Sequence, residues 1–87
     1  MARSFVLPEV VDLVAVTPLR GELIALRGED VELDASAVQR IGGLGVQLLL
    51  SAAATWRQDG RTFSAVRRSP AYEEALRLTG ARLGDEG

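Results

Sequence analysis

Strand-like and helix-like segments alternate three times along this chain of 87 residues, which leaves few folds open to it. Runs rich in β-branched residues, or with apolar and polar residues alternating, predict strands, and apolar residues at helical spacing predict helices. The order β-α-β-α-β-α is typical of an α/β domain. We therefore expect a small mixed, largely parallel β-sheet flanked by helices. A chain of this length provides one core, so the prediction is a single domain over 1–87 with its core at about 5–82.

The predicted elements begin and end at recognisable signals. They are a strand over 5–11, a helix over 18–27, a strand over 31–36, a helix from the glycine cluster at 42–45 to Gly60, a strand over 62–66 and a helix from Ser69 to Gly80. Pro8 cannot donate to a strand ladder, so the first strand is expected at an edge of the sheet. Thr17 and Pro18 suit the N-cap and first position of a helix, and Gly28 ends that helix. The strand over 31–36 is expected inside the sheet.

The helix after the glycine cluster has two distinct faces. Its apolar residues recur at helical spacing, which predicts one buried face and one wet face. The expected buried residues are Val46, Leu49, Ala53 and Trp56, and the expected polar stripe is Gln47, Ser51, Thr55 and Gln58. Trp56 is either an interface anchor or part of the core, and its position on the buried face favours the core.

Composition argues against most catalytic and cofactor chemistry. The chain has no His and no Cys, which supply the commonest ligands of transition metals, the commonest general base and the thiolate nucleophile. We expect no metal, no cofactor and no catalytic residues. The net charge of −2, from 12 acids and 10 bases, argues against binding to nucleic acid.

The sequence predicts a cytoplasmic protein. The absence of Cys is expected of a small domain that folds in a reducing cytosol. The longest uncharged stretch runs from Ile41 to Trp56, which is shorter than the roughly 20 apolar residues of a membrane span. No signal peptide is visible in the first six residues. We therefore expect no insertion into a membrane.

Several polar features near the glycine cluster have two interpretations. The cluster would either present backbone N–H groups to a phosphate or form a tight turn, and no Walker lysine accompanies it. Asp34 would either orient an arginine of a partner or cap its own loop. Ser36 and Ser51 have no accompanying base, so each is expected to satisfy a local backbone group or face water. A very small hydrolase that uses Asp34 and a second carboxylate is the enzymatic alternative.

The central part of the chain resembles a STAS domain, the family that includes the anti-sigma-factor antagonists. The resemblance lies in the strand segment 31–38 (VELDASAV), the short loop 39–41 and the glycine-opened helix 42–50. It continues through 56–61 and the last helix, and covers about residues 5–82. It implies a small, minimal bacterial STAS protein.

The chain departs from the family pattern at the phosphorylation motif. Gly42 lies where the family has Asp, Gly43 lies where it has the phosphorylatable Ser, and Gly45 keeps the final Gly. Phosphorylation of that Ser controls docking to a kinase partner in the antagonists by adding negative charge. We therefore expect no phosphorylation in residues 40–47.

The resemblance implies a non-catalytic protein-interaction module that regulates a bacterial signalling partner, of the anti-anti-sigma or chemotaxis type. The alternative is the small cytoplasmic STAS subunit of a phospholipid-trafficking ABC transporter. The partner would be a kinase-like anti-sigma factor, a chemotaxis or other signalling protein, or a transporter ATPase, with a weak homodimer as a further association. The expected partner-binding residues are Asp34, Arg40, Gly42, Gly43, Leu44, Gly45, Gln47 and Ser51. Arg67 is expected on a solvated rim away from this surface.

Overall fold

The structure is a computed structural model that describes residues 2–79. Its elements, in chain order, are β1 (Arg3–Val6), β2 (Val10–Val11), α1 (Leu13–Ile24), β3 (Val31–Ala35), β4 (Arg40–Ile41), α2 (Gly43–Gln58), β5 (Phe63–Arg68) and α3 (Pro70–Thr79). The predicted class is confirmed, since three helices accompany strands whose pairings in this range are all parallel.

The strands form one sheet of three and a separate pair. The sheet has the order β1-β3-β5, and β2 pairs with β4. β3 is the central strand, as predicted, and its Val31, Leu33 and Ala35 are fully buried. Helix α1 packs against α2 and β2, α2 also packs against β5, and α3 packs against β4. The core therefore lies around β3 and the inner face of α2.

The first predicted strand is divided in two. β1 ends at Val6 and does lie at an edge of the sheet, but Val10 and Val11 pair with Arg40 and Ile41 instead of extending it. The prediction of one strand over 5–11 is therefore wrong. The break falls at Pro8, which has no N–H to donate. The same β-branched residues then form a second, shorter strand.

The first helix begins five residues earlier than the sequence signals indicate. α1 starts at Leu13, and the carboxylate of Asp12 accepts hydrogen bonds from the N–H groups of Val14 and Ala15 at 3.1 and 3.2 Å. Asp12 is thus the N-cap, and the assignment of Thr17 to that role is wrong. Pro18 lies inside the helix. There it removes the hydrogen bond to the carbonyl of Val14, an exposed residue in the first turn that water reaches.

The two later helices begin and end close to their predicted signals. Helix α2 runs to Gln58, and Gly60 follows with a φ of 72°, a left-handed conformation that glycine adopts without strain. The hydroxyl of Ser69 accepts a hydrogen bond from the N–H of Tyr72 at 3.1 Å, as expected of an N-cap. The predicted end of α3 at Gly80 lies outside the described residues.

The predicted faces of α2 are confirmed. Val46, Leu49, Ala53 and Trp56 are all buried, whereas Gln47, Ser51 and Gln58 are exposed and Thr55 is half-buried. Trp56 belongs to the core, because its side chain is only 2% exposed and its ring lies 5.2 Å from that of Phe63. The indole Nε1 donates a hydrogen bond to the carbonyl oxygen of Glu29 at 2.7 Å. Trp56 therefore ties α2 to the turn that precedes β3.

Candidate functional site

The short pair β2–β4 brings the starts of two helices together. Val11 pairs with Ile41, and the N–H of Gly42 donates to the carbonyl oxygen of Val11 at 3.0 Å. α1 begins directly after β2 and α2 begins directly after β4. Because the strands are parallel, both helices start at the same end of the pair. The glycine cluster therefore lies beside the first turn of α1.

An open groove of about 640 Å³ lies between this strand pair, the start of α2 and helix α3. Most of its lining is apolar. The apolar side chains include Val10, Val11, Ile41, Val46, Ala75 and Leu78, and the charged ones are Asp12, Arg40 and Glu74. Positively and negatively charged side chains thus both border an apolar surface. This combination is typical of a protein-binding surface with a polar rim.

Gly42 and Gly43 line the groove and leave the backbone uncovered. Both are exposed, and a Cβ added at either would meet nothing within 4 Å. Neither has a positive φ, so neither is a glycine for conformational reasons. Gly42 is the N-cap of α2 and provides no side-chain hydrogen bond to the helix. The first turn of α2 therefore has no side-chain cap, and its first residue, Gly43, adds no side chain over the backbone.

Gly45 differs from its two neighbours because it is buried. A Cβ at this position would lie 2.7 Å from Cγ1 and 2.9 Å from the carbonyl oxygen of Val11. Gly45 is among the predicted partner-binding residues, but its burial means that it does not present bare backbone to a partner as Gly42 and Gly43 do. Its missing side chain lets α2 approach β2 closely, which holds the two helix starts together.

Replacement of Gly45 with Ala is expected to destabilise the fold by roughly 1–3 kcal/mol, since the added methyl group meets backbone and not only a movable side chain. The matched variant Gly43→Ala should be neutral or slightly stabilising, because its Cβ meets open space in a helix. Urea denaturation followed by circular dichroism measures both. Equal midpoints for the two variants would contradict the close approach at Gly45.

Asp34 caps its own loop. One of its carboxylate oxygens accepts hydrogen bonds from the backbone N–H of Ser36 at 3.0 Å and from its hydroxyl at 2.6 Å. The other oxygen lies 3.4 Å from the Arg67 guanidinium. The hydrogen bonds from Ser36 hold the pKa of the Asp34 carboxyl below its usual value, and Arg67 adds to this effect. Of the two interpretations of Asp34, the contacts support the loop cap.

An irregularity in β5 brings Arg67 to Asp34. Leu33 pairs with Ala65, but the next residue, Asp34, pairs with Arg67, so Val66 is an extra residue in β5. Such a bulge redirects the side chains that follow it. Arg67 is exposed, as expected of a rim residue, but the expectation that it lies away from the predicted site residues is wrong because it pairs with one of them.

The contacts of Ser36 also correct an expectation. The sequence indicates no base beside it, yet its hydroxyl donates to the Asp34 carboxylate. The lowered pKa of that carboxyl makes it a weaker proton acceptor. This pair therefore supports the turn and does not resemble an activated nucleophile.

The structure brings together only some of the predicted site residues. Arg40, Gly42 and Gly43 line the groove, and Leu44 follows them with 49% of its surface exposed. Gln47 and Ser51 lie further along α2 and are exposed. Neither of them, nor Asp34, is among the residues that line the groove. The predicted set thus divides between the groove, the outer side of α2 and the end of β3.

Sequence reasoning missed the parts of the groove that come from distant segments. The sequence pattern places Val10 and Val11 at the end of one strand, and nothing in it connects Ala75 and Leu78 with the glycine loop that they face across the groove. The capping pattern of Asp12 before an apolar run was the available signal for the first group. For the α3 residues, only the fold reveals their position.

The comparisons with known proteins identify the family. The family model described as "Mlab, STAS domain" matches residues 6–82. This match covers most of the chain, which therefore belongs to the STAS domain family. No curated protein and no solved structure matches the chain. Within residues 2–79, no helix combines the length and apolar character needed to cross a bilayer.

Proposed function

We propose that this chain is a non-catalytic module that binds a cytoplasmic protein partner through the groove and the first turns of α2. One observation carries the proposal: Gly42 and Gly43 are exposed, border an apolar groove, and have no steric or conformational need to be glycine. Bare backbone at this position lets a partner approach closely. Arg40 and Gln47 would supply polar contacts at the rim.

Regulation by this module would come from differential binding. A bound protein shifts a partner's equilibrium only as far as it prefers one of the partner's states. Gly43 has no hydroxyl to phosphorylate, so the control by added charge that the family motif provides is absent at this position. The regulated partner in this proposal is a bacterial signalling protein.

The second candidate is a constitutive role as the small subunit of a phospholipid-trafficking ABC transporter. The same absence of a hydroxyl at Gly43 favours it, because a permanent subunit needs no switch at its interface. Capture of partners from a lysate of the source cells, with identification by mass spectrometry, separates the candidates. A transporter ATPase would favour the second, and an anti-sigma or chemotaxis protein would favour the first.

The variant Gly43→Arg is expected to abolish binding of the captured partner and to leave the fold intact. A Cβ at this exposed position meets nothing within 4 Å, so the arginine side chain has room to extend into solvent, where it would occupy the space of a docked backbone. Gly21→Arg is the matched control, because Gly21 is also an exposed helical glycine with open space around it. Titration calorimetry measures affinity and circular dichroism measures folding.

Normal partner binding by a folded Gly43→Arg variant would contradict the proposed footprint. A loss of binding in Gly21→Arg as large as in Gly43→Arg would place the interface elsewhere. Arg67 is unsuitable as a remote control because its pairing with Asp34 links it to the predicted site.

A further inference from the structure

Helix α1 buries little of its apolar surface. It carries apolar residues on all sides, yet only Leu19 and Leu23 are buried. Leu13 and Ile24 are 71% and 54% exposed. A helix that is apolar all round is normally covered on more than one side. Part of α1 therefore lacks cover within residues 2–79.

Ile24, one of these exposed apolar residues, lines a second groove, which separates α1 from α2. The groove has a volume of about 240 Å³. Its lining includes Arg20, Ile24 and Arg27 from α1 and Leu48, Ser51 and Thr55 from α2. Leu13 is on the same helical stripe as Arg20 and Ile24, and Leu44 is on the same stripe as Leu48. One stripe thus lies on each helix, and each begins with a leucine near the start of its helix. The groove region between them is about as long as α1, about 18 Å.

The charges along this groove are all positive. Its lining contains two arginines and no acidic residue. Arg27 forms a salt bridge with Asp59 at 3.0 Å, whereas Arg20 takes part in no salt bridge among residues 2–79. The positions one helical turn from Arg20 also hold no acid. The positive charge of Arg20 is therefore unbalanced beside an apolar surface, although the whole chain carries a net charge of −2.

We infer that the groove between α1 and α2 binds an amphipathic helix of a protein partner whose apolar stripe is flanked by acidic residues. An apolar groove between two helices accepts a third helix through side chains at i, i+3, i+4 and i+7. Arg20 selects the acidic flank, and Ser51 and Thr55 line the opposite side. The inference rests on the proposed function only in that the chain binds a protein.

Two synthetic helical peptides of about 15 residues, sufficient to span α1, test the inference. They share one leucine stripe and differ only in flanking Glu or Lys residues. Fluorescence anisotropy of each labelled peptide is followed against the full chain at low salt, where charge preferences are strongest. Trp56, the single tryptophan and a lining residue, gives a second readout through its own emission.

The Glu peptide is expected to bind roughly tenfold more tightly than the Lys peptide. Arg20→Glu should reverse this order and Arg20→Gln should remove the preference, with circular dichroism confirming that both variants fold. Arg57→Glu is the control with the same change of charge, because Arg57 is exposed on α2 but does not line the groove. It should keep the preference for the Glu peptide.

The inference would be overturned if both peptides bound equally or if neither bound. It would also be overturned if Arg57→Glu changed the peptide preference as much as Arg20→Glu. Binding to phosphatidylglycerol vesicles without binding to the Glu peptide would overturn it in favour of a membrane surface. Gly43→Arg should still bind the Glu peptide, because Gly43 does not line this groove. The experiments therefore distinguish a failure of this inference, about the groove between α1 and α2, from a failure of the proposed binding surface at the start of α2.

Discussion

Replacement of Trp56 with Ala is expected to lower the free energy of unfolding by roughly 3–5 kcal/mol, because a large buried side chain is lost from the core. The side chain is 2% exposed and packs against Phe63. The substitution removes that packing, leaves a cavity beneath α2, and leaves the Glu29 carbonyl without its indole donor. Urea denaturation followed by far-ultraviolet circular dichroism is the suitable measurement, because the variant has no tryptophan fluorescence.

Trp56→Phe separates the two contributions. Phenylalanine keeps an aromatic ring near Phe63 but cannot donate to the Glu29 carbonyl oxygen. Trp56→Phe is therefore expected to lower the free energy of unfolding by less than Trp56→Ala does, by roughly 1–3 kcal/mol. A Trp56→Ala midpoint within error of the unmodified chain would show that α2 is rotated and that Trp56 faces a partner.

Helices with agreeing local and tertiary signals could be predicted from the sequence. In α2 the glycines, the apolar spacing and the left-handed Gly60 all indicate one helix with one buried face, and the structure has that helix. In α1 the local signals conflict. Thr17 and Pro18 resemble a helix start, but Asp12 caps a helix that begins earlier and continues through Pro18. Local propensity could not decide between two caps, because packing of α1 against β2 and α2 favours one of them.

The short pair β2–β4 shows what pattern analysis misses. Two residues are too few to display the alternation of a strand, so Val10–Val11 joins the preceding strand in the sequence and Arg40–Ile41 resembles a loop. Their parallel pairing is nevertheless what brings the starts of α1 and α2 together. The groove between this strand pair, the start of α2 and α3 therefore depends on the pairing of segments that are distant in the chain.

The three glycines of the cluster show the same limit at the scale of single residues. The sequence predicts a strand-to-helix turn at 42–45 but cannot tell which glycine is needed for packing. Only the position of Val11 shows that Gly45 has no space for a Cβ, whereas Gly42 and Gly43 have open space. The pairing of Asp34 with Arg67 could not be predicted either, because it depends on one extra residue in β5 that no sequence pattern marks.

Leu49→Ala is expected to destabilise the chain by roughly 2–5 kcal/mol, because truncation of a fully buried Leu loses apolar burial and leaves a cavity. Leu44→Ala, on the same helix, is the matched control. Leu44 is 49% exposed, so its truncation should lower the free energy of unfolding by less than about 1 kcal/mol. In partner binding the order should be reversed, with the larger loss in Leu44→Ala. Leu44→Ala removes an apolar side chain from the proposed footprint and should weaken binding without loss of stability, whereas Leu49→Ala should bind normally under conditions in which it remains folded. An unchanged urea midpoint for Leu49→Ala, or equal losses of stability in both variants, would show that the buried and exposed faces of α2 have been assigned incorrectly.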